Sequence, residues 1–288
     1  MEKIKSGVFG LNQLMDGGII QNSAMVVIGK AGAGKTTFAL QYIMRGMDVG
    51  DDGVFITLDE NQEQILREAR EMGFTNIDEH IKNGKLVFID ASAEQFSNFI
   101  RKELPSFVDE WGGTKSRIVI DPLTPVIWAT PDKYMQRELI SFLFKELRRV
   151  GTVVSTLEEH GAGDLSGPET IIPMYMADSV VHLQYSSDDD KITKKLKVMK
   201  CRSSRHSERA HEYRIMSGIG ISIQHRKAPV EPKKELAEQT VTKFKDKVKK
   251  LPRTTRGRLL KGFRKLRSSD FEAIDPDILI DDIIEEYK

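Results

Sequence analysis

The sequence predicts an α/β fold in which helices flank a mostly parallel sheet. Five apolar, strand-like runs lie within the first 156 residues, and stretches with helical spacing separate them. Strands that alternate with helices form parallel sheets with right-handed crossovers, so helices should cover both faces. Beyond residue 177 the chain changes to short β-like runs joined by turns. These runs predict an antiparallel extension of the sheet.

The elements can be placed along the chain in order. A glycine-rich segment, residues 6–23, is expected to contain a short helix and to lead into the first strand. Asn61 and Ser92 are expected to cap the helices that follow them. The predicted strands are 24–28, 54–58, 86–90, 118–121 and 152–156; the predicted helices are 35–47, 61–72, 92–108 and 134–150; the later β-like runs are 179–185, 194–201, 212–215 and 219–223, with a turn at 186–190.

Composition and charge exclude several classes of protein. The formal net charge is +1, which argues against a protein that is basic throughout. The single cysteine, Cys201, excludes a disulfide framework and fits a reducing cytosol. No uncharged apolar run reaches the length of about 18 residues that a membrane span needs. We therefore expect a cytoplasmic protein that does not enter a membrane.

One stretch has the spacing of a phosphate-binding P-loop and lies between the first strand and a helix. Its glycines let successive N–H groups point at a polyphosphate, and the helix that follows offers its positive end to the same charge. Lys35 would reach the β- and γ-phosphates, and the Thr36 hydroxyl would ligate Mg²⁺. The predicted triphosphate-binding residues are Gly29, Lys30, Ala31, Gly32, Ala33, Gly34, Lys35, Thr36 and Thr37.

Acidic residues follow other strands of the predicted sheet. Ligands of parallel sheets bind at the carboxyl ends of strands, so Asp59, Glu60, Asp121 and residues 156–159 should meet near the P-loop. Asp121 closes an apolar strand, as a Walker B acid that helps to hold Mg²⁺ does, although an Asp there is also a common turn residue. Asp59 and Glu60 are candidates to orient and deprotonate a water molecule. The alternative is that one acid is exposed and the other begins the next helix.

Taken in order, these motifs resemble those of the KaiC-like ATPases of the RecA superfamily. The resemblance covers about residues 4 to 224 and implies a RecA-like P-loop NTPase that binds ATP and Mg²⁺ and assembles into a homo-oligomeric ring. The residues that carry it are Ser6-Gly7, Gly10-Leu11, Asp16-Gly17-Gly18-Ile19, the P-loop, Asp59-Glu60, Ile120-Asp121, Leu123-Thr124 and Lys200-Cys201-Arg202-Ser203-Ser204-Arg205-His206.

The resemblance assigns roles to four residues near the end of the antiparallel region. Lys200 and Arg202 match basic residues that reach the γ-phosphate of a neighbouring subunit. Ser204 and His206 match positions that line the nucleotide from that side. A positive charge supplied across an interface stabilises charge on the transferred phosphoryl group, so hydrolysis would depend on assembly. The alternative is that these are ordinary surface charges on a β-hairpin.

Three departures from the family pattern matter. The first acid of the pair is usually Glu, and Asp59 is one methylene shorter, so Glu60 or a relayed water would have to compensate, or turnover would be slow. Asn12 stands where an Asp is common. The chain contains one P-loop, so the tandem architecture of the clock proteins is absent and autophosphorylation is not inferred.

The C-terminal extension, residues 226–288, differs from the preceding ATPase domain, residues 1–225. Residues 226–267 contain 16 Lys or Arg and 4 Asp or Glu, whereas residues 268–288 contain 8 acids and one Lys. Apolar spacing predicts three helices, over 236–248, over 259–266 and from Pro276 onward. The basic charges would form a solvated helix face, or bind nucleic acid or an acidic partner, or receive the acidic end of the chain.

Three functions remain open from the sequence. The first is a Mg²⁺-dependent ATPase that works as a homo-oligomer, with a hexamer as one form, and regulates an unidentified protein partner. The second is a RecA/RadA-like recombinase that assembles on DNA. Its central loops should carry basic residues that neutralise DNA phosphates, but residues 160–178 contain no Lys or Arg and residues 122–136 contain only Lys133. The third is a nucleotide-sensing scaffold with little hydrolysis, which the short Asp59 motivates.

Overall fold

A computed structural model of the chain describes residues 1–111, 115–130, 132–161, 165–188, 191–223, 238–263 and 275–287. Within these residues a nine-stranded sheet has the order β11-β10-β9-β8-β3-β7-β6-β4-β5, and a small separate sheet pairs β1 with β2. The strands are β1 (Lys3–Ile4), β2 (Ile19–Ile20), β3 (Ala24–Gly29), β4 (Asp52–Thr57), β5 (Leu86–Asp90), β6 (Ser116–Asp121), β7 (Gly151–Glu158), β8 (Ser179–Asp188), β9 (Lys191–Cys201), β10 (Ala210–Met216) and β11 (Gly220–Ile223).

Helices cover both faces of the large sheet. They are α1 (Leu11–Leu14), α2 (Lys35–Val49), α3 (Gln62–Glu71), α4 (Ile77–Lys82), α5 (Ala93–Lys102), α6 (Leu104–Trp111), α7 (Thr124–Trp128), α8 (Lys133–Leu147), α9 (Pro168–Met176), α10 (Glu238–Lys247), α11 (Arg253–Phe263) and α12 (Pro276–Glu286), with a 3₁₀ turn at Val248–Lys250. Among the described residues, no helix is both long and apolar enough to cross a membrane.

The predicted α/β fold is confirmed. The strands β8, β3, β7, β6, β4 and β5 are parallel, while β9, β10 and β11 extend the sheet as antiparallel strands. The parallel strands are buried on both faces, as β3 shows: Met25 and Val27 join the apolar core under α2, and Val26 and Ile28 join the core under α8. Because side chains alternate along a strand, a continuous apolar run supplies both cores at once.

Several local predictions differ from the structure. The single helix predicted over 92–108 is two helices, α5 and α6, because Pro105 has no N–H to donate to the carbonyl of Arg101. Ser92 and Gln95 do form the capping box that begins α5. The strand β8 continues to Asp188 and so occupies part of the turn predicted at 186–190, while residues 189 and 190 lie outside the described residues. The helices α4, α7 and α9 were not predicted.

The described part of the C-terminal extension is helical, as expected, and packs on the α/β body formed by residues 1–223. Phe9, Met216 and Ile219 of the body share one buried apolar cluster with residues of α10, α11 and α12. The acidic α12 also lies against the basic α10, where Lys243 Nζ is 2.7 Å from Asp277 Oδ1 and Lys247 pairs with Asp281. The acidic end therefore neutralises part of the basic segment.

Candidate functional site

The P-loop joins β3 to α2 and adopts a conformation that depends on glycine. Gly32 and Gly34 have φ angles of +76° and +97°, in the left-handed region that side chains disfavour. A Cβ atom at Gly34 would also lie 2.6 Å from Ile215 Cδ1. The turn closes where the Ala33 N–H donates to the Lys30 main-chain oxygen at 3.1 Å. The left-handed backbone at position 34 therefore favours glycine, and a side chain there would also displace Ile215.

A cavity of about 430 Å³ lies beside this loop. It brings together groups that the sequence places far apart, since the loop, the acids after β4 and the acid that ends β6 all contribute to it. The side chains and loop residues that line it are Ala31, Gly32, Gly34, Lys35, Thr36, Thr37, Asp59, Glu60, Ile65, Glu68, Asp121, Pro122, Glu158 and Ile215. Its volume is in the range of small-molecule sites.

Lys35 is the cation of the P-loop that lines this cavity together with the acids. Its Nζ donates to the main-chain oxygen of Lys30 at 3.3 Å. Burial lowers the pKa of Lys35, and the negative charges of Asp121, Glu158, Glu159 and Glu60 act in the opposite direction. A triphosphate would add further negative charge beside the ammonium group and so favour its charged form.

Asp121 is buried at the end of β6 and has two hydroxyl partners. The Thr156 hydroxyl donates to Asp121 Oδ1, and the Thr36 side chain also hydrogen-bonds to the carboxylate. Burial raises the pKa of Asp121, whereas the two hydrogen bonds and the charge of Lys35 lower it. Thr36 and Asp121 therefore offer adjacent hard oxygen atoms, which is the chemistry Mg²⁺ prefers. Among the described residues no group of three or more His, Cys, Asp or Glu could hold a metal alone, so phosphate and water oxygens would complete this coordination.

The two acids that follow β4 differ in their environment. Asp59 is exposed, while Glu60 is half-buried, and the Glu60 Oε2 atom is buried without a hydrogen-bond partner among the described residues. Burial raises the pKa of Glu60, and the charges of Glu68, Asp121 and Asp59 raise it further against the effect of Lys35. A buried carboxylate oxygen without a donor is suited to accept a hydrogen bond from a substrate or a water molecule.

The structure does not bring Lys200 and Arg202 to the P-loop of the same chain. Lys200 Nζ donates to the main-chain oxygens of Met174 and Tyr175 at 3.0 Å and of Ala177 at 2.7 Å, at the end of α9. Arg202 Nη2 also donates to the Tyr175 oxygen, at 3.0 Å. Both cations thus stabilise the carboxyl end of a helix.

Ser204 and His206 follow at the same end of β9. Ser204 Oγ accepts a hydrogen bond from Lys3 Nζ at 2.6 Å, and His206 Nδ1 lies 3.1 Å from the Ser207 main-chain oxygen. The end of β9 pairs with the start of β8, at Ser179, whereas the P-loop begins beside Leu183 further along β8. These four residues therefore lie at the opposite edge of the sheet from the P-loop of their own chain.

A scan of protein families matches residues 4–228 to the model described as "ATPase: KaiC". The chain belongs to the KaiC ATPase family. A solved KaiC-like protein of Pyrococcus horikoshii has the same fold with a TM-score of 0.64 and 26% identity, and the match covers 77% of this chain and 98% of that one. The fold and the family resemblance predicted from the sequence are thus confirmed.

Two curated relatives of this KaiC-family chain differ in length. A UPF0273 protein of Methanopyrus kandleri is 27% identical over 256 residues, which cover 83% of this chain and 98% of the relative. The circadian clock protein KaiC3 of Synechocystis is 29% identical over 235 residues, which cover 77% of this chain but 46% of the relative. The match to this clock protein therefore spans about half of its length.

Sequence reasoning missed several side chains of the site in this KaiC-family member. Glu68 and Ile65 line the cavity from α3, three residues apart on one helical face, and that spacing after the Asn61 cap could have revealed them. Lys194 Nζ donates to the Gly32 main-chain oxygen at 2.8 Å, and burial lowers its pKa. Its position depends on the register of β9 against β8, for which the sequence gives no signal.

Proposed function

We propose that this chain binds ATP in the P-loop cavity and hydrolyses it with Mg²⁺, as an assembly of several copies. The observation that carries the proposal is the cavity itself, where Lys35, Thr36 and Asp121 meet Glu60, whose Oε2 atom has no hydrogen-bond partner in the described part of the chain. Phosphate binding follows from the loop, whose curled backbone and helix end favour anions. Family membership supports the same chemistry.

Each residue of the cavity has its own proposed role in binding or hydrolysis. Lys35 would bind the β- and γ-phosphates, and the backbone from Gly32 to Thr36 would hold them in place. Thr36 and Asp121 fit a bound Mg²⁺, which when present neutralises charge on the phosphates. Glu60 would orient the attacking water and take its proton, since its raised pKa makes it a better base than an ordinary carboxylate. Asp59 is exposed and would only assist Glu60 in acting on the water.

Assembly would complete the site. Lys200 and Arg202 lie at the sheet edge opposite the P-loop, so their charges can reach a γ-phosphate only in a neighbouring copy. An arginine supplied in this way stabilises charge that develops during phosphoryl transfer. The proposal therefore includes a homo-oligomer in which one copy supplies Lys200 and Arg202 to the nucleotide of the next, and an ATP-dependent regulatory role toward a protein partner.

The test measures binding and hydrolysis separately in the full chain. We expect Lys35→Ala to weaken ATP binding at least about tenfold. We expect Glu60→Gln to retain binding and to lower Mg²⁺-dependent phosphate release about 100-fold, the usual contribution of a general base. Asp59→Asn should have a smaller effect. Glu63→Gln is the matched control, because Glu63 is an exposed acid of α3 that does not line the cavity.

Three results would contradict the proposal. Unchanged ATP affinity in Lys35→Ala would remove the P-loop as the binding site. Tight ATP binding by the wild type without release of phosphate, at concentrations where it is assembled, would favour the nucleotide-sensing scaffold over an ATPase. Equal loss of hydrolysis in Glu60→Gln and Glu63→Gln would assign the effect to the helix and not to the base.

A further inference from the structure

A second cavity lies between the C-terminal extension and the α/β body. Its volume is about 380 Å³, which is the size of a small-molecule site. The end of α3, the turn after β10 and one face of α11 border it, through residues such as Glu71, Ser217 and Arg253. The described residues that line it are all different from those that line the P-loop cavity.

The lining of this cavity is strongly basic. Its charged members among the described residues are the cations Arg70, Arg253, Arg258 and Lys261 and one carboxylate, Glu71. Asp78 neutralises Arg70, since the guanidinium donates to both carboxylate oxygens at 2.9 and 2.6 Å. No described residue forms an ion pair with the other three cations. Three uncompensated positive charges therefore face one carboxylate.

The helix α11 directs these charges toward one space. Arg253, Gly257 and Lys261 follow one another at intervals of four residues and so lie on the same face of the helix. A Cβ atom at Gly257 would meet nothing within 4 Å, so the middle of this face is open. The first residues of α11 border the cavity as well, and the positive end of a helix adds to the attraction for an anion.

Arg258 is held in position before any ligand binds. Its guanidinium lies over the Phe74 ring, 4.5 Å from the centroid, and Nη1 and Nη2 donate at 3.4 and 3.3 Å to the Gly218 main-chain oxygen and the Tyr287 hydroxyl. A pre-positioned guanidinium loses less conformational entropy when it binds a phosphate group than a free one does. Arg253 and Lys261 are exposed and make no hydrogen bond to a described residue, so they can turn toward a ligand.

We propose that this second cavity binds a small phosphorylated molecule through Arg253, Arg258 and Lys261. The concave shape and the volume favour a small ligand over an extended strand of nucleic acid. Arginine and lysine are the side chains that bind phosphate groups best. The cavity needs α11, which lies beyond residue 228 where the family match ends, so this binding site belongs to the extension of this chain.

The test is calorimetric titration of sodium pyrophosphate into the full-length Lys35→Ala chain, which minimises binding at the P-loop. We expect saturable binding. The further double substitution Arg253→Gln and Lys261→Gln should weaken it at least about tenfold, because each removes one charge-assisted contact with the ligand. Arg256→Gln is the control, since Arg256 lies on the same helix but outside the cavity lining. Both positions of the double variant are exposed, and thermal unfolding would verify that the fold is kept.

The proposal is overturned if the Lys35→Ala chain shows no saturable binding, or if the double variant binds as tightly as its parent. Equal weakening in Arg256→Gln would mean that general surface charge causes the effect, and this result would also overturn the proposal. Binding of polyglutamate without binding of pyrophosphate would overturn it as well. None of these results depends on hydrolysis. A chain that fails to release phosphate from ATP can still bind pyrophosphate here, so the two proposals fail independently.

Discussion

The main-chain oxygen of Glu286 accepts two hydrogen bonds from Arg45, from Nε at 3.0 Å and from Nη2 at 2.7 Å. The Glu286 side chain is fully buried and accepts from the Gly7 N–H at 2.7 Å and from the Asn12 amide. The last helix of the chain is thus tied to α2, to the loop before α1 through Gly7, and to α1 through Asn12. The C-terminal extension therefore forms part of the structure that holds the start of the chain in place.

The burial of Glu286 predicts a specific pH dependence of stability. Burial raises the pKa of Glu286 to about 7, although the hydrogen bonds from Gly7 and Asn12 and the charge of Arg45 act to lower it. A carboxyl group with a raised pKa binds its proton more tightly in the folded state, so its contribution to stability falls as pH rises from about 4.5 to about 7. We expect the free energy of unfolding of the wild type, relative to Glu286→Gln, to fall by roughly 3 kcal/mol over this range.

Urea unfolding of both chains at several pH values measures this difference. Asp277→Asn is a suitable control because Asp277 is an acid of the same helix whose side chain is more than half exposed. The opposite sign, a wild type that gains stability over the variant as pH rises, would mean that Arg45 keeps Glu286 ionised when folded.

A second prediction concerns the apolar contact between the extension and the α/β body. Phe263 of α11 is buried and stacks on Phe244 of α10 with ring centroids 4.0 Å apart, in the cluster that contains Met216 and Ile219. Replacing a buried Phe with Ala leaves a cavity, so we expect Phe263→Ala to lower the free energy of unfolding by about 3–5 kcal/mol. Tyr134→Ala, at a ring that is 68% exposed, should change it by less than about 0.5 kcal/mol. A small effect at Phe263 would show that the extension adds little to stability.

The sequence predicted the central sheet because its strands are buried on both faces. Runs such as 24–28 and 118–121 are almost continuously apolar, which identifies them without knowledge of their neighbours. The site followed from the same argument, since the carboxyl ends of parallel strands share one edge. The spacing of glycines, Lys35 and Thr36 then predicted where along that edge phosphates would bind.

Contacts that depend on distant segments could not be predicted in this way. The residues of α9 include Pro173, which usually ends a helix, and packing against α8 overrides this preference. Glu286 belongs to an acidic segment that is normally solvated, and only the fold places it against Arg45 and Gly7. The position of Lys194 beside Gly32 likewise comes from strand register, which a single sequence does not encode locally.

A third prediction tests the hydrogen bond between Thr156 and Asp121. Burial raises the pKa of Asp121, and the hydrogen bond that the Thr156 hydroxyl donates to Asp121 Oδ1 acts to lower it. Thr156→Val removes this donor at nearly constant volume, and the pKa of Asp121 should rise further. We expect the pH midpoint of Mg²⁺-dependent ATP binding to move upward and the affinity at neutral pH to fall about tenfold, the value of one hydrogen bond to a charged group.

Fluorescence titration with a labelled ATP analogue across the pH range would measure this shift. Ser155→Ala is the matched control, because Ser155 is the buried neighbour on the same strand and its hydroxyl has no hydrogen-bond partner among the described residues. An unchanged midpoint in Thr156→Val would mean that Asp121 does not control metal-dependent binding.

The last prediction separates the structural and the catalytic roles of Arg202. Within one chain Arg202 stabilises the end of α9 through the Tyr175 oxygen, at the sheet edge opposite the P-loop. If Arg202 also acts on the nucleotide of a neighbour, Arg202→Ala and Lys35→Ala should each be inactive alone. The first retains an intact P-loop and the second retains an intact Arg202.

Mixing the two variants should restore hydrolysis, because some interfaces then combine the intact P-loop of one copy with the intact Arg202 of another. We expect at least about a tenfold gain in phosphate release over either variant alone, since an arginine acting across an interface can contribute several orders of magnitude. The measurement is phosphate release as a function of mixing ratio, with Arg205→Ala mixed with Lys35→Ala as the comparison. No recovery at any ratio, with both variants folded and assembled, would restrict Arg202 to its contact with α9.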